Sequence, residues 1–359
     1  MKRIIFIAGV LLACNSMSAK EAINGNDDRI TYIGRTYCSE GKVSFDWSGV
    51  KTVIDFYGTS LEMEYADSGC SYINIWVDEE PSALNSKTLK LGGSGKITLA
   101  SDLKKGHHTL TIQKRTEGNE GMLTFESFHT DGTFHQARSI KERTIEFIGD
   151  SYTCGYGTES SSKHDKFLAE TENCNLTYAA IAGRYFDADI VHISHSGRGI
   201  ARNYNSIEPG ETMVKKYDQT FDEVDSLKWD ASGFTPDIVV IYLGTNDFSK
   251  GLQPSLTSWS REYKKLLTKI RNNYGEDVPI LCVASKASRL MGDYVEHAVT
   301  ESGISNVHWT SIQASAHNNE NDLGAAYHPN YAGQRKVASC VIPYISTLTG
   351  WDMPFKPYE

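Results

Sequence analysis

Residues 144–157 read Thr144-Ile145-Glu146-Phe147-Ile148-Gly149-Asp150-Ser151-Tyr152-Thr153-Cys154-Gly155-Tyr156-Gly157. A nearly unbroken apolar run that stops at a glycine and gives way to small polar residues reads as a strand buried on both faces and then a tight turn. Three similar runs follow: Ile190-Val191-His192-Ile193, the segment from Asp237 to Leu243, and that from Val278 to Ala284. Helical patterns lie between them, at Tyr178 to Tyr185 and Trp259 to Asn272; in the second, Tyr263, Leu266, Leu267 and Ile270 recur at i, i+3, i+4 and i+7. Buried strands alternating with amphipathic helices predict a parallel sheet covered on both faces, an α/β domain over residues 141–349.

Upstream the period changes. Val43-Ser44-Phe45-Asp46-Trp47, Ser60-Leu61-Glu62-Met63-Glu64-Tyr65, the segment from Tyr72 to Asp78, and Thr109-Leu110-Thr111-Ile112-Gln113 alternate apolar and polar residues, with glycine-containing breaks between them. Short strands of period two predict an antiparallel β-sandwich or jelly roll over residues 28–137. Two domains agree with a length of 359 residues. With 11% aromatic residues, 30 glycines and only 9 prolines, collagen-like and disordered classes are excluded. A formal net charge of −9 argues against a nucleic-acid partner, whose affinity rests on Lys and Arg.

The first residues have the pattern of a processed segment. Lys2 and Arg3 precede the apolar stretch from Ile4 to Ala13, about half the ~20 residues needed to cross a bilayer, so residues 1–19 read as a signal peptide. Two cleavage sites compete. Leu11-Leu12-Ala13-Cys14 looks like a lipobox, which would make lipidated Cys14 the point of membrane attachment; cleavage after Ala19 would release a soluble protein. Either way the product is exported, to the cell envelope, the periplasm or the medium. Losing Lys2 and Arg3 and no acid takes the net charge to −11. Six of the seven cysteines then remain; outside the cytoplasm they can pair, Cys154 with Cys174 and Cys38 with Cys70 being the pairs to test, or stay buried as free thiols.

Ligands of open parallel sheets gather beyond the carboxyl ends of the strands. There the chain places Gly149-Asp150-Ser151, Ser194-His195-Ser196-Gly197-Arg198-Gly199-Ile200, Gly244-Thr245-Asn246-Asp247 and, before the last helical segment, His328-Pro329-Asn330. Singly these are a common turn, a helix cap and a loop histidine. In this order and placement they resemble the SGNH hydrolases, also called the GDSL family, over about residues 143–345. The resemblance implies a flavodoxin-like three-layer α/β/α domain, with Ser151 as nucleophile and His328 as base. It also implies an oxyanion hole made by the N–H groups of Ser151 and Gly197 and the side-chain amide of Asn246, Gly199 being a poorer occupant of the glycine role.

The chemistry agrees with that assignment. A serine hydroxyl is a weak nucleophile until an imidazole takes its proton, and the same imidazole can then protonate the leaving alcohol. The oxyanion needs donors fixed in advance, each contributing about 3–4 kcal/mol to lowering the barrier. One departure stands out. Most of the superfamily has an aspartate three residues before the histidine, where this chain has Ala325. A Ser-His dyad is therefore expected, its imidazole N–H held by a backbone carbonyl, with Asp322 as a more distant alternative orienter.

A sandwich ahead of such a domain narrows the resemblance. Gly34-Arg35, Phe56-Tyr57-Gly58-Thr59, Gly106-His107-His108 and Lys114-Arg115-Thr116-Glu117 in the first domain are similar to the family 2 carbohydrate esterases, so that the resemblance spans about residues 30–345. It implies removal of acetyl groups from polysaccharides such as xylan and mannan, and members without the acidic residue belong to that family's pattern. Another acetylated glycan, a lipid ester, or a carbohydrate-binding surface protein without catalysis are the alternatives. Trp309, read as lying in the long loop between the last strand and His328, is the aromatic residue to examine for stacking on a sugar. His192 and His195 lie on strand-like sequence where they would diverge, so no metal is expected, and no glycine-rich nucleotide motif appears, so no cofactor is expected.

Overall fold

A computed structural model describes residues 20–206, 210–285, 289–312, 316 and 319–359. The segment 1–19, with Cys14, lies outside the described residues. Twelve strands come first: β1 (Glu21–Asn24), β2 (Thr31–Ile33), β3 (Tyr37–Ser39), β4 (Lys42–Phe45), β5 (Lys51–Gly58), β6 (Leu61–Asp67), β7 (Tyr72–Val77), β8 (Lys87–Lys90), β9 (Gly93–Ala100), β10 (Gly106–Lys114), β11 (Leu123–Thr130) and β12 (Thr133–His135). They make two six-stranded antiparallel sheets. One runs β3-β4-β11-β6-β9 with β1 beside β11, the other β12-β5-β10-β7-β8 with β2 beside β5. Alternation places Leu61 and Met63 inside and Glu62 and Glu64 outside, and Phe45, Phe125 and Phe128 meet edge to face between the sheets.

The second domain holds β13 (Thr144–Gly149), α1 (Ser151–Cys154), α2 (Tyr178–Phe186), β14 (Asp189–Ser194), α3 (Met213–Lys216), β15 (Ile238–Tyr242), α4 (Leu256–Tyr274), β16 (Ile280–Ala284), α5 (Arg289–Thr300), β17 (Val307–Ser311) and α6 (Tyr331–Thr349). The five strands are parallel in the order β14-β13-β15-β16-β17, the 2-1-3-4-5 order of flavodoxin-like sheets. Helices α2 and α6 cover one face, packing Ile181, Val341 and Ile345 on Ile145 and Phe147; α4 and α5 cover the other. Helix α4 shows why the period decides the element: Ser255 caps it by accepting the Ser258 N–H, and Trp259, Tyr263, Leu266, Leu267 and Ile270 form its buried stripe.

One apolar core runs through the sandwich and into the α4/α5 face of the α/β domain without a break. Polar contacts reinforce the join. Trp47 Nε1 donates to the Thr220 carbonyl (2.9 Å), Asp46 accepts the N–H groups of Asp222 and Glu223, and Lys51 and Arg138 both pair with buried Asp189.

The cysteines follow the free-thiol alternative, and one expectation is corrected. All six described cysteines are free thiols. Cys38 and Cys70 lie on and just after strands three steps apart in one sheet, about 14 Å at ordinary strand spacing and beyond disulfide reach. Cys154 Sγ instead donates its one hydrogen to Glu117 Oε2 and lies 3.4 Å from Ser194 Oγ, and Cys174 Sγ donates to the Lys114 carbonyl. Trp309 is not on a loop. It sits in β17, the edge strand, opposite Cys282, and packs half-buried against the main core. The strand was hidden because Val307-His308-Trp309-Thr310-Ser311 has only one buried residue, as an edge strand allows.

Candidate active site

Strands β13, β14 and β15 end side by side, Gly149 opposite Ser194 on one flank and Tyr242 on the other. The residues that follow them therefore converge on one carboxyl edge. Asp150 leaves the strand and caps α1, its Oδ1 accepting the Tyr152 N–H at 3.1 Å. Ser151 opens that helix. As its first residue Ser151 has no intrahelical acceptor for its N–H, and no other described residue takes it. Gly149 is required by close approach: a Cβ there would lie 1.9 Å from Thr153 Oγ1.

His328 reaches the serine from the other side, its Nε2 2.8 Å from Ser151 Oγ. Its Nδ1 lies 3.2 Å from each of two backbone carbonyls, those of Ala325 and Ala326. These oxygens can only accept, so Nδ1 carries the proton and Nε2 is free to receive that of the serine. A strained turn presents the carbonyls. Ala326 and Tyr327 both have positive φ (50° and 64°), a left-handed pair that residues with a Cβ rarely adopt. The turn is pinned from outside, where the Ala326 N–H donates to the Asp165 carbonyl and that of Tyr327 to the Lys163 carbonyl.

Asp322 does not orient the histidine. Residues 323–324 fold back in a short ribbon against 328–329, and Asp322, just before it, turns its carboxylate to Lys336 Nζ on α6 at 2.6 Å. What surrounds His328 is aromatic: Tyr156 stacks on the imidazole at 4.2 Å between centroids, Phe167 stacks on the far face of Tyr156, and Tyr152 meets the ring edge-on. Although the residue is half-buried overall, its ring is enclosed by these neighbours, and burial pulls its pKa down to about 4 against the two carbonyls that favour the cation. The imidazole is thus a free base over most of the pH range.

Gly197 and Gly199 differ. The Gly199 N–H donates to Asn203 Oδ1, whereas no described acceptor takes the Gly197 N–H, and Gly197 has a φ of +79°. Asn246 Nδ2 bridges the two sides of the site, donating to Asp150 Oδ2 (3.2 Å) beside Ser151 and to the Arg198 carbonyl (2.8 Å) beside Gly197. Both amide hydrogens are therefore engaged within the protein, and an oxyanion would have to share one of them.

Several site residues escaped sequence reasoning. Asp247, the second acid of Gly244-Thr245-Asn246-Asp247, clamps the loop after β14 by accepting the N–H groups of Ile200, Ala201 and Arg202. Burial raises its carboxyl to about 6 even so. Asp150, buried and facing Asp247, is pushed up to about 7, mainly by desolvation. Tyr156 was in the quoted motif but had no marker of its role. Glu117 comes from the sandwich: on the loop after β10, it accepts the Ser196 N–H at 2.7 Å. His192 and His195 do diverge, His192 being sealed beside Phe147 and His195 bonded to Asp222 Oδ2 at 2.7 Å.

A serine hydroxyl on a neutral imidazole, with free backbone N–H groups beyond the carboxyl edge of a 2-1-3-4-5 sheet, defines a GDSL-type ester hydrolase. The chain matches the GDSL-like Lipase/Acylhydrolase family over residues 147–336 and the Carbohydrate esterase 2 N-terminal domain over residues 32–137. It belongs to carbohydrate esterase family 2. A solved family two carbohydrate esterase from Clostridium thermocellum, in complex with cellohexaose, is 31% identical, with a TM-score of 0.82 over 90% of this chain and all of that one. Cellulase/esterase CelE of Acetivibrio thermocellus is 32% identical over 316 residues, 85% of this chain but only 38% of that protein. An acetylxylan esterase / glucomannan deacetylase of Cellvibrio japonicus is 27% identical over 86% of each chain.

Proposed function

We propose that the protein is a carbohydrate O-acetyl esterase that hydrolyses acetyl esters on hemicellulose of the xylan or mannan type. The observation that carries this reading is the 2.8 Å contact between His328 Nε2 and Ser151 Oγ, with Nδ1 committed to two carbonyls. His328 takes the serine proton as Oγ attacks the acetyl carbonyl. The N–H groups of Ser151 and Gly197 receive the oxyanion, with Asn246 as third donor by sharing a hydrogen that now reaches Asp150 or Arg198. The protonated imidazole then gives its proton to the departing sugar hydroxyl, and water repeats the cycle on the acetyl-enzyme. Relatives named for acetylxylan and glucomannan support the substrate class. Export through segment 1–19, as a lipoprotein anchored at Cys14 or as a soluble protein, belongs to the same reading, supported by the charge and apolar pattern of that segment.

The experiment is acetate release from acetylated xylan and acetylated glucomannan, beside a chain-length series of p-nitrophenyl esters. The reading requires acetate from at least one polysaccharide and a rate that falls steeply beyond acetate. A preference for long acyl chains would make the substrate a lipid ester, and polysaccharide binding without acetate release would make the site a binding site.

A further inference from the structure

The loop after β10 leaves the sandwich and enters the wall of the α/β domain, bringing Glu117, 1% exposed, between α1 and the loop after β14. One carboxylate oxygen touches both sides of the reaction centre. Glu117 Oε2 accepts the Ser196 N–H at 2.7 Å, one residue before Gly197, and the Cys154 thiol at 3.5 Å, at the end of the helix that Ser151 opens. The loop is itself held on both sides. Lys114 Nζ donates to the carbonyls of Thr116 and Glu117, Arg115 donates to those of Glu170 and Glu172, and the Glu117 N–H donates to Glu172 Oε2. At Gly118 a Cβ would lie 2.6 Å from Asp222 Oδ2, so the loop passes close against Asp222.

We propose that Glu117 is a positioning residue for ester hydrolysis, contributed by the sandwich: its carboxylate ties the His195–Ser196 peptide, the unit next to the one that carries the Gly197 N–H, to α1, and so sets the distance between the Gly197 N–H and Ser151. Gly197 is at φ +79°, where glycine has wide freedom, and the Ser196 N–H is the donor that anchors its amino-terminal side. Without that anchor the amino-terminal side of Gly197 is left to two longer bonds of 3.3 Å, from the His195 N–H to the Gly149 carbonyl and from the Arg198 N–H to the His195 carbonyl, and the Gly197 N–H can turn from the oxyanion position. The sandwich is then part of the catalytic centre rather than an appended binding module.

Glu172 completes the arrangement. It is fully buried with Oε1 unpartnered, and burial together with the adjacent Glu117 pushes its carboxyl well above the ordinary carboxylate range. A glutamine at 117 could keep one oxygen on the Ser196 N–H and turn its amide hydrogens to Glu172 Oε1, whereas an aspartate withdraws the carboxylate by one methylene, and alanine leaves the Ser196 N–H buried without a partner.

The inference rests on the assignment of Ser151 and His328, and the test separates the two. In the full-length chain, kcat and KM for p-nitrophenyl acetate are measured for wild type, Ser151→Ala, Glu117→Ala, Glu117→Asp and Glu117→Gln, with the melting temperature of each and active-site titration of the four proteins that keep Ser151. A displacement of about 1 Å in a catalytic constellation costs up to about 10²-fold. We expect Glu117→Ala to lose about 10²-fold in kcat per titrated site and Glu117→Asp about tenfold, KM staying within threefold, and Glu117→Gln to stay within fivefold of wild type. If the alanine variant does not fold, the aspartate and glutamine variants decide. Wild-type kcat per titrated site in Glu117→Asp, or losses that track only the folded fraction, would overturn the inference. Equal activity in wild type and Ser151→Ala would instead overturn the assignment on which it rests.

Discussion

The carbonyl oxygen of Ala325 lies 3.2 Å from His328 Nδ1, three residues along the chain, at the position where most of the superfamily places a carboxylate. Backbone thus orients the base, helped by the Ala326 carbonyl at the same distance. An acceptor without charge fixes the tautomer but stabilises the imidazolium less than a carboxylate does.

Asp322 should be dispensable for chemistry. Its carboxylate is bonded to Lys336, half exposed on α6, and not to the histidine. Where a carboxylate does hold the imidazole, its conversion to an amide costs about 10⁴-fold. Steady-state kinetics of Asp322→Asn should show kcat within about threefold of wild type; a loss near the triad value would mean that the carboxylate reaches His328 during turnover.

The acid limb of the pH profile should lie low. With burial holding the His328 pKa at about 4, the base is neutral, and competent to accept the serine proton, at every pH well above that value. Below it the imidazolium cannot accept, so kcat/KM should rise with pH through about 4 and level off. Asp150, raised to about 7, adds a shallower rise near 7 as its ionised form strengthens the hydrogen bonds from Tyr152 and Asn246. Profiles of wild type and Asp150→Asn check both: the step near 7 should vanish in the variant while the limb near 4 stays. In Asp150→Asn, where the step near 7 is removed, an acid limb still at 6 or above would contradict the enclosure of His328.

Gly157 should tolerate no side chain. It has a φ of +64°, and a Cβ there would stand 2.6 Å from Ala325 Cβ, pressing on the turn that feeds carbonyls to His328. Gly157→Ala should cost about 1–2 kcal/mol from backbone conformation alone and lower kcat beyond that stability loss. Chemical denaturation and kinetics on the same sample measure the two effects; a variant unchanged in both would show that the turn can move freely.

Asp247 should matter more to folding than its place after Asn246 suggests. It satisfies three backbone N–H groups at 2.7–3.0 Å, and Asp247→Ala would leave them buried and unpaired. At about 1–3 kcal/mol for each, the variant should be destabilised by at least about 3 kcal/mol. Denaturant unfolding midpoints give the answer, and a loss below 1 kcal/mol would show that water replaces the carboxylate.

Legibility in the sequence followed the physics of each element. Buried strands such as β13 and β15 declare themselves because both faces need apolar side chains, and α4 because its stripe has the helical period. The edge strand β17 did not, since half its surface meets solvent, and Trp309 was misplaced with it. Ser151 and His328 were legible because their motifs follow strand ends in a fixed order. Glu117 was not, because its role depends on a loop of one domain entering the other, a contact between residues 79 apart that no local spacing encodes. The thiols stay unpaired for a related reason, their partners being decided by sheet order rather than by distance along the chain.

The most direct test of the dyad is acetate release from acetylated glucomannan at pH 7 by wild type and Ser151→Ala. Removing the nucleophile of a comparable site lowers kcat by about 10⁶-fold and leaves only the contribution of the oxyanion hole and binding. The account predicts robust release by wild type and a loss of at least about 10⁴-fold in the variant, with its melting temperature unchanged. Comparable release by both proteins would contradict it.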